Sequence, residues 1–418
     1  MTARRLLAAV LPASALLLAG VSAPGATDGA APPAVPAVTP AAISDVVPRE
    51  ALPSPVPLRP PRLSERHLDP ALGRFVAPVG DGRAILTLDP RLQSRLAQSL
   101  ATYRVPWGAT VLLEAGSGRV LALAEHSQAE PQRRGLALAA LAPAASIFKI
   151  VTAAALLEHG VRPEDEVCYH GGRRRLAPGL LADDPRRDRR CSSLSDAFGH
   201  STNVVFAKLA DRGLDADSLR AVAERFLFNA EIAFPAAVEA SAARIPEDPF
   251  GLASTAAGFG DVRLSPLHAA LLASVVANGG LLVPPVIVDE VDGLPFPALA
   301  APTRVIEESI AADLGEMMRT TVTSGTARRA FRRVAGPLRG VDVAGKTGSL
   351  ADPEPYRDYS WFVGYAPADR PQVVVATVVV NERLWHARAP TVAKEALEAF
   401  FDVRVAGAPQ GVRTAAVR

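Results

Sequence analysis

Residues 143–157 read PAASIFKIVTAAALL, and from Ser146 to Leu157 the only charge is Lys149. A helix that is apolar nearly all round is a buried helix, so this stretch is expected to run through the core from Ser146 to about Gly160. A buried lysine costs free energy unless it is paired, neutral or used. Ser146 lies three residues earlier. On a helix the two side chains share one face about a turn apart, with the hydroxyl at the N-terminus, where developing negative charge is favoured. Desolvation disfavours the charged ammonium, and a neutral Lys149 can take the Ser146 proton and generate a nucleophile. Arginine cannot do this, because a guanidinium does not deprotonate in proteins. Of the 45 basic residues only 149, 208, 346 and 394 are lysine. Arginine is therefore the default cation, and Lys149 and Lys346 stand out. By itself S-x-x-K is a weak motif, equally compatible with a capping serine and a snorkelling lysine.

Working outward, the 418 residues suffice for one large domain or two modest ones, and the 49% hydrophobic fraction supports a sizeable core. A net charge of +2 gives no case for nucleic acid. At the N-terminus Arg4 and Arg5 precede an apolar run, Leu6 to Val21, and the small residues Val21-Ser22-Ala23. Residues 1–23 thus read as a secretory signal, whose apolar run of 16 residues is shorter than the roughly 20 of a spanning helix. Cleavage is favoured over an uncleaved anchor associated with the inner membrane. The expected location is the periplasm or the outer face of the cytoplasmic membrane. In an oxidising compartment Cys168 and Cys191 are expected to form a disulfide worth about 3 kcal/mol; the alternative is two buried free thiols.

Residues 24–63 are rich in Ala, Pro and Val and read as an extended linker. Residues 64–403 form the main domain, and 404–418 a tail. AILTLDPRLQSRLAQSLATY (84–103) predicts a short strand and a helix from Pro90. WGATVLLEAGSGRVLALAEH (107–126) predicts a β-hairpin turning at AGSG. Residues 161–195 read as polar and irregular, with the charge run RRRLAPGLLADDPRRDRR (173–190) expected to be a solvated loop rather than a site for anionic wall polymer. Helical patterns return near 203–209, 217–226, 266–278 and 391–401. GVDVAGKTGS, YSWFVGYAP and QVVVATVVV read as an antiparallel meander of three strands. The order implies an α+β fold, an antiparallel sheet flanked by helices.

Two further motifs carry chemistry. In FGHSTNVVFAKLA (198–210), Ser201 and Asn203 precede an apolar helical run. The hydroxyl could relay a proton, and the amide could hold a lysine or a substrate carbonyl; an ordinary N-cap is the bland reading. In VAGKTGSL (343–350), Lys346, Thr347, Gly348 and Ser349 end a strand pattern, and glycine there marks close approach of a ligand backbone. A lysine and two hydroxyls suit a carboxylate. The bland reading is a strand-end turn with an exposed lysine.

S-x-x-K, S-x-N and K-T-G in this order resemble the signature of penicillin-recognising serine enzymes, and the chain is similar to the transpeptidase domain of penicillin-binding proteins. The likeness extends to the 107–124 hairpin, to GFGDVRLSPLHAALLASVVANGG (258–280), to TSGTARRAF (323–331) and to WFVGYAP (361–367), covering roughly 84–401. It implies a β-lactamase/transpeptidase-like fold with an all-helical subdomain. Ser146 would be the acylated nucleophile and Lys149 its base. Ser201 would shuttle a proton, and Asn203 would bind the peptide part of the substrate. Lys346 and Thr347 would hold its terminal carboxylate. The N–H groups of Ser146 and Ser349 would form the oxyanion hole. The substrates implied are D-Ala–D-Ala stem peptides of peptidoglycan, with β-lactams as covalent inhibitors and a glycosyltransferase as partner. No metal or other cofactor is expected; His170, His200 and His268 follow no metal spacing. The alternatives are a D,D-carboxypeptidase, a serine β-lactamase, for which Glu224 in ERFLFN (224–229) is the nearest candidate for a water-activating carboxylate, and a non-catalytic wall-binding scaffold.

Overall fold

The computed structural model describes residues 59–172 and 175–407. The expected signal, most of the expected linker and most of the tail lie outside the described residues. Arg62 N–H donates to Pro78 O, and Leu63 is buried in the main core.

The chain opens with β1 (His67–Asp69), β2 (Arg74–Val79) and β3 (Gly82–Leu86). Helix α1 (Pro90–Thr102) starts where expected: the Asp89 side chain accepts from Arg91 and Leu92 N–H, and Pro90 opens the first turn. Leu92, Leu96 and Leu100 form its buried stripe. The expected hairpin follows as β4 (Trp107–Glu114) and β5 (Val120–Ser127). Gly116 and Gly118, both at positive φ, allow its turn.

After β6 (Ala142–Pro143) comes α2 (Lys149–Glu158), then β7 (Glu166–Tyr169) and β8 (Arg190–Ser193). Four helices follow: α3 (Leu194–His200), α4 (Asn203–Gly213), α5 (Ala216–Arg225) and α6 (Pro249–Ala256). Next are β9 (Arg263–Leu264) and α7 (Pro266–Ala277), whose first turn is capped by Ser265. The short strands β10 (Leu281–Leu282), β11 (Val288–Val291), β12 (Leu294–Pro295) and β13 (Thr303–Arg304) precede α8 (Glu308–Thr323) and α9 (Arg328–Phe331). Last come β14 (Ala344–Pro353), β15 (Tyr356–Ala366), β16 (Val373–Asn381) and α10 (Ala389–Gly407).

The central sheet has the order β14-β15-β16-β4-β5, antiparallel throughout. The expected meander is thus extended by the expected hairpin. Every residue of β16 is buried because helices cover both faces. Val374, Ala376, Val378 and Val380 face the core built with α2 and α7, whereas Val373, Val375 and Val379 face α1 and α10. Strand β14 is left at an edge. Trp361 of β15 donates its indole N–H to Pro143 O at 2.9 Å, tying the sheet to the segment that enters the site. Among the described residues no helix is long and apolar enough to cross a membrane.

Two expectations need correction. The helix expected from Ser146 begins instead at Lys149, preceded by a 3₁₀ turn over Ala145–Ile147. Hydrophobic patterning placed the segment in the core but could not distinguish a tight turn from the first turn of an α-helix. The wider segment expected to be polar and irregular, 161–195, contains the two paired strands of a hairpin arm, whereas the described part of the charge run between them is made of turns and mostly exposed residues, as expected. β7 pairs with β8, with Cys168 directly opposite Cys191 and disulfide-bonded to it. The arm is fixed by Lys208 of α4, fully buried, which donates to Cys168 O, Asp183 and Asp188 at 3.1, 3.0 and 2.8 Å. Lys208, on the helix that begins with Asn203, thus supplies the counter-ion to two aspartates of the run.

Two outcomes are expected in solution. The denatured, unreduced protein should show no reactive thiol and the reduced protein two. Phe148, fully buried and edge-on to Phe228 at 5.4 Å, should cost about 3–5 kcal/mol on change to Ala, read by denaturant unfolding.

Candidate active site

The structure brings the three motifs together although they are 54 and 143 residues apart along the chain, counted from Lys149 to Asn203 and from Asn203 to Lys346. Ser146 sits in the 3₁₀ turn. Ala145 before it adopts φ +49°, a left-handed conformation unusual for a residue with a Cβ. Gly258 backs this turn: at φ +93°, a Cβ there would lie 2.6 Å from Ala145 O. Strain of this kind persists only where the surroundings hold it, and here it aims the serine side chain at Lys149.

Lys149 is fully buried. Its Nζ donates to Ser146 Oγ at 3.0 Å, to Asn203 Oδ1 at 2.7 Å and to Ala257 O. The Phe206 ring centroid lies 5.3 Å away. These partners are neutral. Burial, and secondarily the nearby Lys346 charge, therefore hold the Lys149 pKa well below its usual value. The short reach to Ser146 follows from the 3₁₀ turn flowing into α2, with the serine and lysine still three residues apart.

Ser201 ends α3 in the left-handed region, φ +56°. Asn203 then begins α4. Two helices meeting at a sharp corner thus aim a hydroxyl and an amide inward. The corner is seated against the end of α8 by glycines. A Cβ on Gly199 would lie 2.5 Å from Thr320 Cγ2, and one on Gly325 would lie 2.1 Å from Gly199 O.

Lys346 is also fully buried, not exposed as the bland reading has it. It donates to Ser201 Oγ at 3.0 Å and Thr347 O at 2.9 Å, with the Phe198 ring centroid 5.4 Å away. Burial pushes its pKa down to about 7. Gly348 lets the strand pass close to the serine turn: a Cβ there would meet Ile147 Cγ1 at 3.1 Å and Ala144 O at 3.3 Å. Ser349 follows in β14, paired across to Ser360.

Three contributors were not singled out from sequence. Thr326 bonds Thr347, Oγ1 to Oγ1, at 2.5 Å, and its N–H donates to Gly199 O, linking the second motif to the third. It stands in TSGTARRAF, where nothing local marks it. Ala257 contributes only a backbone carbonyl, and Gly258 only the lack of a side chain. The expected bystanders stay outside the polar cluster. His200 is exposed and bonds Asp196 O, His170 bonds Asp188, and His268 is buried against Phe226 O, its pKa lowered to about 4 by burial. Among the described residues no group of side chains could hold a metal ion. Ser146, Lys149, Ser201 and Lys346 have no carboxylate among their hydrogen-bond partners.

Residues 108–402 match the family model described as Penicillin binding protein transpeptidase domain. The chain is 29% identical over 341 residues to the peptidoglycan D,D-transpeptidase PbpA of Mycobacterium tuberculosis, covering 72% of this chain and 67% of that protein. It also superposes on the ceftriaxone acyl-enzyme complex of penicillin-binding protein A from the same organism, with TM-score 0.62, 27% identity and coverage of 77% and 80%. The D,D-transpeptidase domain of a peptidoglycan glycosyltransferase from Eggerthella lenta aligns with TM-score 0.64 and 25% identity, over 81% of this chain and 95% of that one. By sequence and by fold, the chain belongs to the penicillin-binding protein transpeptidase family.

Proposed function

We propose that this protein is a serine D,D-transpeptidase that cross-links peptidoglycan stem peptides through an acyl-enzyme and is covalently inhibited by β-lactams. The observation that carries the reading is the 3.0 Å contact between the Ser146 hydroxyl and a buried lysine that lacks a carboxylate partner. Burial without a carboxylate shifts such a lysine toward the neutral form that can take a proton, whereas an ion pair would hold it protonated.

Ser146 Oγ attacks the carbonyl carbon of the penultimate D-Ala, and its proton passes to Lys149. The N–H groups of Ser146 and Ser349 would hold the oxyanion. Collapse breaks the peptide bond, and the leaving D-Ala amine takes a proton through Ser201, which touches Lys346. Asn203 holds Lys149 and faces the peptide. Lys346 and Thr347 bind the terminal carboxylate. An acceptor amine then attacks the ester and gives up a proton through Ser201, Lys149 returns its proton to Ser146 Oγ as the ester bond breaks, and the cross-link leaves with the serine restored. The glycan strands would come from a separate glycosyltransferase, and the reaction would take place outside the cytoplasm.

A β-lactamase of the class with a serine–lysine pair and a second Ser-x-Asn motif needs a carboxylate that activates water on the acyl-enzyme. Glu224 is exposed on α5 and takes no part in the cluster. A long-lived adduct is therefore expected with fluorescent penicillin, absent in Ser146→Ala. Rapid turnover without adduct would overturn the assignment. Lys149→Arg should keep the fold by circular dichroism and lose acylation, since arginine cannot accept the proton.

The pH dependence has a definite sign. Acylation needs Lys149 neutral and Lys346 charged. The rate should rise with pH as Lys149 loses its proton, then fall above about 7 as Lys346 loses its charge. Lys346→Arg should remove the fall, because a guanidinium stays charged; a persistent fall would assign that limb elsewhere. Gly258→Ala should displace the serine turn and slow acylation roughly 100-fold with the fold intact.

A further inference from the structure

The hairpin arm ahead of α3 carries an asymmetry that the sequence conceals. Residues 173–190 hold seven arginines and three aspartates, apparently mixed. The fold separates them. Asp183 is ion-paired to Lys208 and Arg212, both on α4, and Asp188 to Lys208 and His170. Asp188 is held well below the usual carboxylate range, chiefly by the Lys208 bond. Asp184 accepts from Arg186 and Arg187 N–H and sits 4.0 Å from the Arg187 guanidinium. The acids are thus engaged inside the arm. Arg175, Arg186, Arg189 and Arg190 point to solvent, and none has a carboxylate partner among the described residues. The disulfide and the buried Lys208 hold this cationic face in place.

The face lies next to the site. β8 runs directly into α3, whose N-terminal turn is capped by Ser193 and whose last turn ends on Ser201. Seven residues of helix span roughly 10 Å. Gly172 of the arm packs against Val204, the neighbour of Asn203; a Cβ on it would lie 2.5 Å from Val204 Cβ. A polymer bearing repeated peptides could occupy the catalytic serine with one stem and the arm with the next.

We propose that this arginine face is a second binding surface for peptidoglycan, holding carboxylates of stem peptides beside the one being acylated. It rests on the transpeptidase reading for its ligand. Guanidinium groups suit carboxylates through their planar, two-pronged geometry. A membrane surface is disfavoured: interfacial binding needs large apolar or aromatic side chains beside the cations, and the large exposed ones at Leu68, Leu72, Leu294, Leu299, Leu384, Trp385 and Val405 all lie outside the arm.

The test is cosedimentation of the full chain with purified peptidoglycan sacculi stripped of attached polymers, at low and at high salt. All proteins carry Ser146→Ala so that acylation plays no part. The triple variant Arg186→Ala, Arg189→Ala, Arg190→Ala should bind roughly tenfold more weakly at low salt and lose most of its salt dependence. The corresponding Arg→Lys triple should recover much of the binding. Sacculi with amidated carboxyl groups should bind the unmodified arm no better than the alanine variant. In the Ser146 background, fluorescent penicillin should label the triple variant and the parent equally. A defect in labelling by the parent would therefore count against the transpeptidase reading alone. Equal sedimentation of the alanine variant and its parent would overturn the proposal, as would undiminished binding to amidated sacculi. A loss confined to anionic phospholipid vesicles would assign the face to the membrane instead.

Discussion

The structure depends on keeping one ammonium group out of water without giving it a counter-ion. Lys149 is enclosed by α2, the Asn203 corner, the Ala257 carbonyl and the Phe206 ring. Each contact satisfies a donor, and none supplies a negative charge. A carboxylate in any of these places would stabilise the cation and keep the amine protonated, so that it could not take up the serine proton. Lys208 shows the opposite solution a few residues away. It is equally buried, yet has two aspartates, and it fixes an arm in place. One helix, α4, supplies both Asn203 to the first lysine and Lys208 as the second.

Close approach is the other requirement. The serine turn, the α3–α4 corner and the edge strand β14 must converge within hydrogen-bond range. Backbone crowding at the junctions rules out side chains, so Gly199, Gly258, Gly325 and Gly348 occupy them. The edge position of β14 follows from sheet order, and it leaves the K-T-G strand facing the serine turn instead of another strand. Trp361, one strand further in, anchors that turn through Pro143. The core and the site are therefore one construction: loosening the sheet would shift the serine.

Much of this was legible beforehand for physical reasons. The continuous apolar runs of β16 and α7 are strong signals, because each element buries nearly all its side chains. Asp89-Pro90 and Ser265-Pro266 announced helix starts, because capping is local chemistry. Helices α3, α6 and α8 and the strands β1 and β2 that pair onto the foreseen β3 were not foreseen, since their stability comes from what they pack against. The arm was misread for the same reason. Asp183 and Asp188 are engaged by residues of α4 that lie 20 to 29 positions away, which nothing local in the charge run announces.

The sequence by itself determined the chemical parts: a serine and lysine three apart in an apolar run, a second hydroxyl with an amide, and a lysine on a glycine-bordered strand. Residue type fixes what a group can donate, accept or protonate, so the parts could be named without coordinates. Only the tertiary structure decided their state. Burial made Lys149 a base, lowered Lys346 toward neutrality and drew Thr326 against Thr347. It also turned Asp183 and Asp188 to Lys208 and left Arg175, Arg186, Arg189 and Arg190 facing solvent. Desolvation and charge pairing act over a few ångströms in space, and the residues that supply them here lie far apart along the chain, as Lys149 and Lys346 do at 197 positions.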